Sequence, residues 1–358
     1  MKKKLFLLLN IFFVTTSYAQ LQNDDVWKTD LGKSAIRNII RIPDIEGYKT
    51  LKCDFHVHTV FSDGKVWPDV RVDEAWQQGY DAIAITDHIE YRPHKDQVIG
   101  DLNESYKIAK KRADQIGFIL IKGTEITRSK PLGHLNALFL TDANPLDVED
   151  PLEAINIARK QGAVILWNHP GWPDDKSTVY DVHEKLIAEK KIDMVEVHNH
   201  MEYYPLTFDW MEKYGLAPSA NSDTHDVIAN EYGMEKMGRP ITLVFAKEHS
   251  ENAIKEALMA GRTAALFNDC IVAKKEWAEK IVWSSVQYRI ISTDATSAVV
   301  EIENLSDIPF VIYKSPTEKV VLPAGKTIRT GFTVPGTIKI GNVYIGHNKN
   351  LELTLPSK

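Results

Sequence analysis

Two histidines one residue apart, His56 and His58, close the apolar run "LKCDFHVH", and Asp63 follows beside a glycine in "FSDG". Side chains on a strand alternate between its faces, so His-x-His sets both imidazoles on one face, where they can grip one cation together. Asp223-x-His225 repeats the device with one carboxylate and one imidazole. Between the two pairs, residues of the same kind recur at the ends of apolar runs. Asp87 and His88 follow "AIAIT", Glu125 follows "FILIKGT", His169 follows "AVILWN", and His198 and His200 lie in "VEVHNH"; His134 instead begins the run "HLNALFL". A carboxylate or imidazole dehydrated at the end of a buried strand must be hydrogen-bonded or bound to metal. One such residue is an ordinary polar core group, whereas an ordered series points to a metal centre. His94, His183, His249 and His347 stand outside the series and read as surface or satisfied core residues.

A scaffold that gathers so many strand ends must have many strands ending in one place. From residue 50 to about 272, short apolar runs alternate with segments of helical length such as 102–116 and 151–161, the pattern of a parallel sheet with helical crossovers. This many repeats suggest an α/β barrel, in which the strand ends share one mouth. After "LMAGRTAAL" the pattern changes. From Trp277 onward the chain reads as strands and turns ("VQYRIISTD", "SAVVEIEN", "PFVIYKS", "LELTLP"), which places a small all-β sandwich in residues 273–358. Residues 20–49 form a leader segment whose "SAIRNIIRIPDIEGY" holds too many apolar residues for a linker.

The 358 residues suffice for a large domain and a small one. The start, "MKKKLFLLLNIFFVTTSYAQ", has the charge, short apolar core and small-x-small order of a secretory signal, with cleavage expected after Ala19 and a periplasmic or secreted product. Without the three leader lysines, 40 basic residues face 49 acidic ones, a net charge of −9 that argues against a nucleic-acid or anionic-membrane partner. No later stretch is long and apolar enough to span a bilayer. With only Cys53 and Cys270, the fold is not stapled by disulfides, and Cys53 reads as a small core residue.

The segments "DFHVHTVFSDG", "AIAITDH", "GTEIT", "GHLNAL", "WNHPG" and "SANSDTH", in this order, resemble the motifs of the polymerase and histidinol phosphatase (PHP) domain family. The resemblance covers about residues 50–270. It implies a distorted (β/α)7 barrel that holds two or three divalent ions (zinc, manganese or iron) and hydrolyses phosphate esters. It assigns His56, His58, Asp63, His88, Glu125, His134, His169, Asp223 and His225 as metal ligands. On the family pattern, His56, His58, Glu125 and Asp223 serve one ion, Glu125, His134 and His169 a second, and Asp63, His88 and His225 a third. The leader, the β-domain and export also resemble a secreted branch that includes phosphodiesterases.

Two ions about 3.5–4 Å apart can share a water, acidify it and clamp a phosphoryl group, so Glu125 and Asp223 are expected in catalytic roles. His198 and His200 are candidates to protonate the leaving oxygen, with His200 the choice, although Glu196 shares a strand face with His198. Asp87 is expected to orient a ligand imidazole. Arg128 and Arg262 are candidate phosphate-binding residues, with surface charge as the competing reading, and Trp167 and Trp172 are candidate pocket walls. Two rival functions remain: an amidohydrolase-type zinc enzyme acting on C–N or C–O bonds, and a non-catalytic metal-loaded binding protein. Neither substrate nor oligomeric state can be read from the residues.

Overall fold

A computed structural model describes residues 36–355; the expected signal, residues 1–19, lies outside the described residues. The apolar runs of the first domain form β1 (Lys49–Asp54), β2 (Ala82–Ile85), β3 (Ile119–Ile126), β4 (Leu135–Leu138), β5 (Val164–Trp167), β6 (Met194–Asn199), a short β7 (Glu202–Tyr203) and β8 (Ala217–Asn221). Six helices punctuate them: α1 (Pro68–Gln77), α2 (Glu104–Ile116), α3 (Pro151–Lys160), α4 (Asp181–Ala188), α5 (Thr207–Lys213) and α6 (Ile228–Glu231). Their ends follow local chemistry. Both α1 and α3 open on proline, whose fixed φ suits a first turn and whose missing N–H leaves no donor unmet there. Asp150 caps α3 by accepting from the Leu152 N–H at 2.9 Å, and α2 stops at Gly117 in the left-handed conformation.

β1, β2 and β3 pair in parallel, as do β5, β6 and β8, while β4 runs antiparallel to both β3 and β5. The ring closes where β1 runs out. There the Asp223 N–H donates to His56 O (2.9 Å) and the His58 N–H to Thr224 O (3.1 Å), which joins the first strand to the segment after β8. These seven strands form the distorted (β/α)7 barrel. The reversal of β4 explains why His134 begins its run. In an antiparallel strand the first residue, not the last, reaches the mouth.

Beyond the barrel, β9 (Ile241–Ala246) lies antiparallel along nearly all of β1, with Lys49 opposite Ala246 and Cys53 opposite Thr242. It leads through α7 (Glu251–Met259) to the hairpin β10 (Thr263–Phe267) and β11 (Cys270–Ala273). This places Arg262 at the start of β1, the end of the sheet away from the mouth. There its Nε donates to Phe245 O (3.0 Å), its guanidinium pairs with Glu256, and it lies over the Tyr48 ring. The expectation that Arg262 binds phosphate is therefore corrected: the antiparallel turn of β9 carries it to the wrong end.

The first element after the hairpin is also not the expected strand. Residues Lys275–Ser285 form a helix, α8, whose buried Trp277, Ala278, Ile281, Val282 and Ser285 follow helical spacing. The β-region then begins with β12 (Val286–Thr293) and continues through β13 (Ser297–Asn304), β14 (Phe310–Tyr313), β15 (Lys319–Leu322), β16 (Thr327–Thr333), β17 (Gly336–Gly346) and β18 (Lys349–Leu355). One layer is β12–β13–β16 and the other β15–β14–β17–β18, with Phe310, Leu322, Ile340 and Leu351 buried in the domain core. The second layer is continuous with the barrel sheet, because β17 pairs in parallel with β11. The described part of the leader is ordered against this body: Ile40, Ile42 and Ile45 are buried, and Arg41 exchanges backbone and side-chain hydrogen bonds with Asp307. Cys53 is a buried free thiol, and Cys270 is also unpaired. No helix among the described residues is long and apolar enough to cross a membrane.

Candidate metal centre

At the barrel mouth the nine expected ligands meet around Glu125. This carboxylate is next to last in β3, and pairing continues past the end of β2, with the Glu125 N–H on Asp87 O (3.1 Å) and the Ile89 N–H on Glu125 O (3.0 Å). Glu125 Oε2 lies 3.5 Å from His56 Nε2, 3.4 Å from His58 Nε2 and 2.8 Å from His88 Nδ1; Oε1 lies 2.9 Å from His134 Nδ1 and 3.6 Å from His169 Nε2. Asp223 Oδ1 sits 3.2 Å from His56 Nε2 and 3.0 Å from His58 Nε2. Asp63 Oδ1 lies 3.4 Å from His88 Nε2 and 3.2 Å from His225 Nε2.

Four groupings bring ligand atoms close enough to share an ion: His58, Asp63, His88 and His225; His56, His58 and Glu125; His56, His169 and Asp223; and His88, Glu125 and His134. The partition differs from the expected one: His58 also approaches the Asp63 cluster, His88 also joins Glu125 and His134, and His169 falls with His56 and Asp223 as well as near Glu125. The spacing in the chain could not reveal this, because it depends on how far each loop leans over the mouth.

The donor set fits divalent cations on a physical test. His56 Nε2, His58 Nε2, Asp63 Oδ1, Glu125 Oε2, His134 Nδ1 and Asp223 Oδ1 are all buried without a hydrogen-bond partner. Orphaned buried lone pairs are costly, and here they converge on one space. Asp223 is also held at φ 50°, a conformation costly for a non-glycine residue, as is His200 at φ 49°. Strained residues of this kind cluster at functional sites.

The charges are strongly coupled. Burial alone would depress His56 and His88, but the surrounding carboxylates outweigh it and raise both, His88 to about 10. His225 rises to about 9 against burial through Asp63 and Asp223. Burial drives His58 down to about 3, helped by the neighbouring His225 and His88. Glu125 and Asp223 are held well below the carboxylate range because nearby imidazoles outweigh the upward push of burial.

A second layer of residues sets ligand orientation. Asp87 accepts from the Thr59 N–H (2.7 Å), Thr59 Oγ1 (2.8 Å) and Ser62 Oγ (2.8 Å), and Ser62 Oγ in turn lies 3.3 Å from His58 Nδ1. Asp87 thus acts on the loop that carries His58. Glu196 was read only as a neighbour of His198, yet its role is central. Its Oε1 lies 2.9 Å from His56 Nδ1 and accepts from Asn221 Nδ2 (3.0 Å), while Oε2 accepts from the His169 N–H (2.7 Å) and Asn199 Nδ2 (2.8 Å). The signal was available as an acidic residue inside the apolar run "DMVEV". Asn168 donates to Glu125 Oε1 (2.9 Å), and buried Arg71 donates from Nε to His58 O (2.9 Å) and from Nη1 to Asp226 O (2.7 Å), bracing the loops that bear both pairs. Nothing in their spacing pointed to these two.

Glu196 and His198 do not share a face. A register shift in β6 between them inserts an extra residue opposite β8, so Glu196 faces the metal centre while His198 turns away. Both His198 ring nitrogens lack partners. The ring packs on Phe267 and Tyr203, and burial depresses it to about 3. His198 is thereby removed from the site. His200 lines the cleft, with Nδ1 3.0 Å from the Tyr232 hydroxyl. That cleft, of about 610 Å³, is also lined by Asp63, His88, Glu125, Asp223 and His225.

Arg128 reaches the cleft rim, but its guanidinium is paired with Glu90 and donates to Thr127 O and Val148 O. Trp172 is 52% exposed with its ring 5.0 Å from that of His134, a wall of the mouth, whereas Trp167 is core, stacked on His183 and Trp210. His183 is a satisfied core residue, as expected, bonded from Nε2 to Leu132 O and at Nδ1 to the Tyr180 N–H.

The family model of the PHP domain matches residues 54–287, a span that contains every candidate ligand named above. The chain belongs to the PHP domain family. An uncharacterized protein of Methanocaldococcus jannaschii is 31% identical, with 52% of this chain and 88% of that one covered. A crystal structure from Bacteroides vulgatus, a two-domain protein described as containing a predicted PHP-like metal-dependent phosphoesterase, superposes with a TM-score of 0.85 at 37% identity. That match covers 90% of this chain and 99% of the other, so the C-terminal β-region is shared with the barrel.

Proposed function

We propose that the protein is an exported, metal-dependent phosphoesterase that hydrolyses a small-molecule phosphate monoester or diester in the periplasm or outside the cell. The observation that carries this reading is the convergence of orphaned buried nitrogen and oxygen atoms from His56, His58, Asp63, Glu125, His134 and Asp223 on one space open to a cleft. Membership in the PHP family and the likeness to the Bacteroides vulgatus protein support it.

His56, His58, Asp63, His88, Glu125, His134, His169, Asp223 and His225 would hold two or three divalent ions, with zinc, manganese or iron suited to this mixed imidazole and carboxylate set. The chemistry such ions supply when bound is polarisation of the phosphoryl oxygens and acidification of a water. Glu125 faces ligands on both sides and fixes their spacing, and Asp223 holds its carboxylate between the His56 and His58 rings. The Tyr232 hydroxyl donates to Ser222 O and so accepts from His200 Nδ1–H, which leaves His200 Nε2 as the nitrogen that takes up and gives up a proton. In its protonated form His200 can donate from Nε2 to a leaving alkoxide.

The test is metal analysis of purified protein combined with a panel of phosphate mono- and diesters, lactones and amides. The expected result is phosphate-ester turnover that EDTA abolishes and Mn²⁺, Zn²⁺ or Fe²⁺ restores. Full activity in protein verified metal-free, or turnover confined to lactones or amides, overturns the reading.

A further inference from the structure

Beside the metal cleft lies a second hollow of about 340 Å³, whose rim shares His134, His169 and Trp172 with the cleft. Its walls include Pro131, Trp167, Trp172, Pro173 and Tyr180. The charges at its edge are spent: Lys130 pairs with Asp174 and donates to Lys176 O (2.9 Å), and Arg128 is engaged with Glu90 and backbone carbonyls. The Lys130–Asp174 pair also ties the loop before β4 to the loop after β5, while His183, beneath Trp167, is bonded to Leu132 O (2.7 Å). The hollow is therefore braced before any ligand arrives.

We infer that this hollow is the subsite for the ester group of the substrate, and that it selects phosphate esters of alcohols bearing a neutral, planar aromatic ring. The inference rests on the phosphoesterase reading for the placement of the phosphoryl group and deepens it by naming the substrate class. With phosphorus at the metal centre, the space adjoining His134 and His169 receives the next part of the molecule. The half-exposed Trp172 indole face packs favourably on a flat ring. With Lys130, Asp174 and Arg128 paired, the hollow offers no free charge to a second phosphate or a carboxylate.

The experiment compares benzyl and methyl derivatives, whose phosphoryl ends are alike. Affinities of benzylphosphonate and methylphosphonate for the Mn²⁺-loaded full chain are measured by calorimetry, and kcat/KM for benzyl phosphate and ethyl phosphate by phosphate release. Wild type should bind the benzyl compound about tenfold more tightly, the difference expected from burying one ring. Trp172→Ala should reduce that ratio to within about twofold of unity, and Trp172→Phe should restore most of it. Trp172 is half exposed, so neither substitution should disturb the fold. Equal affinities in wild type, or a ratio that Trp172→Ala leaves unchanged, overturn the subsite. Turnover separates the two claims. Hydrolysis of both esters without preference refutes the subsite alone, whereas preferential benzylphosphonate binding with no hydrolysis of these esters or of any mono- or diester in the panel refutes the phosphoesterase reading and leaves the aromatic-binding hollow.

Discussion

Glu196→Gln is an isosteric change that should strip the site of much of its metal affinity. Four donors converge on the carboxylate: His56 Nδ1–H and Asn221 Nδ2 at Oε1, the His169 N–H and Asn199 Nδ2 at Oε2. A glutamine can accept at only one end, and the His169 backbone N–H can only donate. The amide oxygen must therefore turn to His169, which leaves its NH₂ against His56 Nδ1. His56 can meet an NH₂ only by moving its own proton to Nε2, the atom that faces Glu125 and Asp223. In that tautomer Nε2 has no lone pair for a cation. Loss of a partner that merely orients a ligand histidine costs about 10–100-fold in metal affinity, and an enforced wrong tautomer belongs at the upper end, about 2.8 kcal/mol. Chelator competition with Mn²⁺ or Zn²⁺ measures this directly, with circular dichroism and thermal midpoint as controls for folding. An affinity within threefold of wild type in a folded variant would refute the argument that Glu196 selects the His56 tautomer.

His58→Ala and Asp223→Ala each remove a group that contacts several other ligands, and should leave less than about 1% of the metal-dependent phosphoesterase activity; retention of a tenth of it would remove that residue from the site. Metal affinity should rise with pH. In the cation-free protein His225 and His88 hold their protons up to about 9 and 10, so binding must displace them, at about tenfold per pH unit for each proton released. Competition titrations at pH 6, 7 and 8, with proton release followed by an indicator, check this; a pH-independent affinity contradicts it. The same upward shifts stabilise the cation-free fold below the ordinary imidazole value of 6.5, and that contribution disappears as pH rises through 9 to 10. Arg239→Met leaves the fully buried Asp54 without its guanidinium partner at 2.6 Å and should cost about 3–5 kcal/mol in denaturant unfolding. A loss below 1 kcal/mol would mean that Ser222, which also bonds Asp54, satisfies it alone. Arg262→Gln should leave kcat/KM within about threefold and lower stability by about 1–2 kcal/mol through its bond to Phe245 O, whereas a large loss of kcat would return Arg262 to the site.

The sequence by itself pointed to the candidate ligand set and to the scaffold that carries it. A histidine or carboxylate at the end of an apolar run is unfavourable without a partner, and the series from His56 to His225 therefore exposes the strand ends, their common mouth and their affinity for cations. It also located the β-rich C-terminal region, because alternating strands and turns are local patterns. Residues whose role depends on non-local pairing were beyond its reach. The bulge in β6 that points Glu196 inward and His198 outward depends on register against β8, which no reading of "VEVHNH" alone contains. Arg262 follows a helix like many phosphate-binding arginines, but the antiparallel course of β9 carries it to the far end of the sheet. α8 reads as a strand when only its apolar content is counted, and its helical spacing is decided by packing on β11, β17 and β18. The division of nine ligands among ions was likewise left to the tertiary structure. Residues such as His58 and His88 come within reach of more than one cluster only when loops far apart in the chain lean over the same mouth.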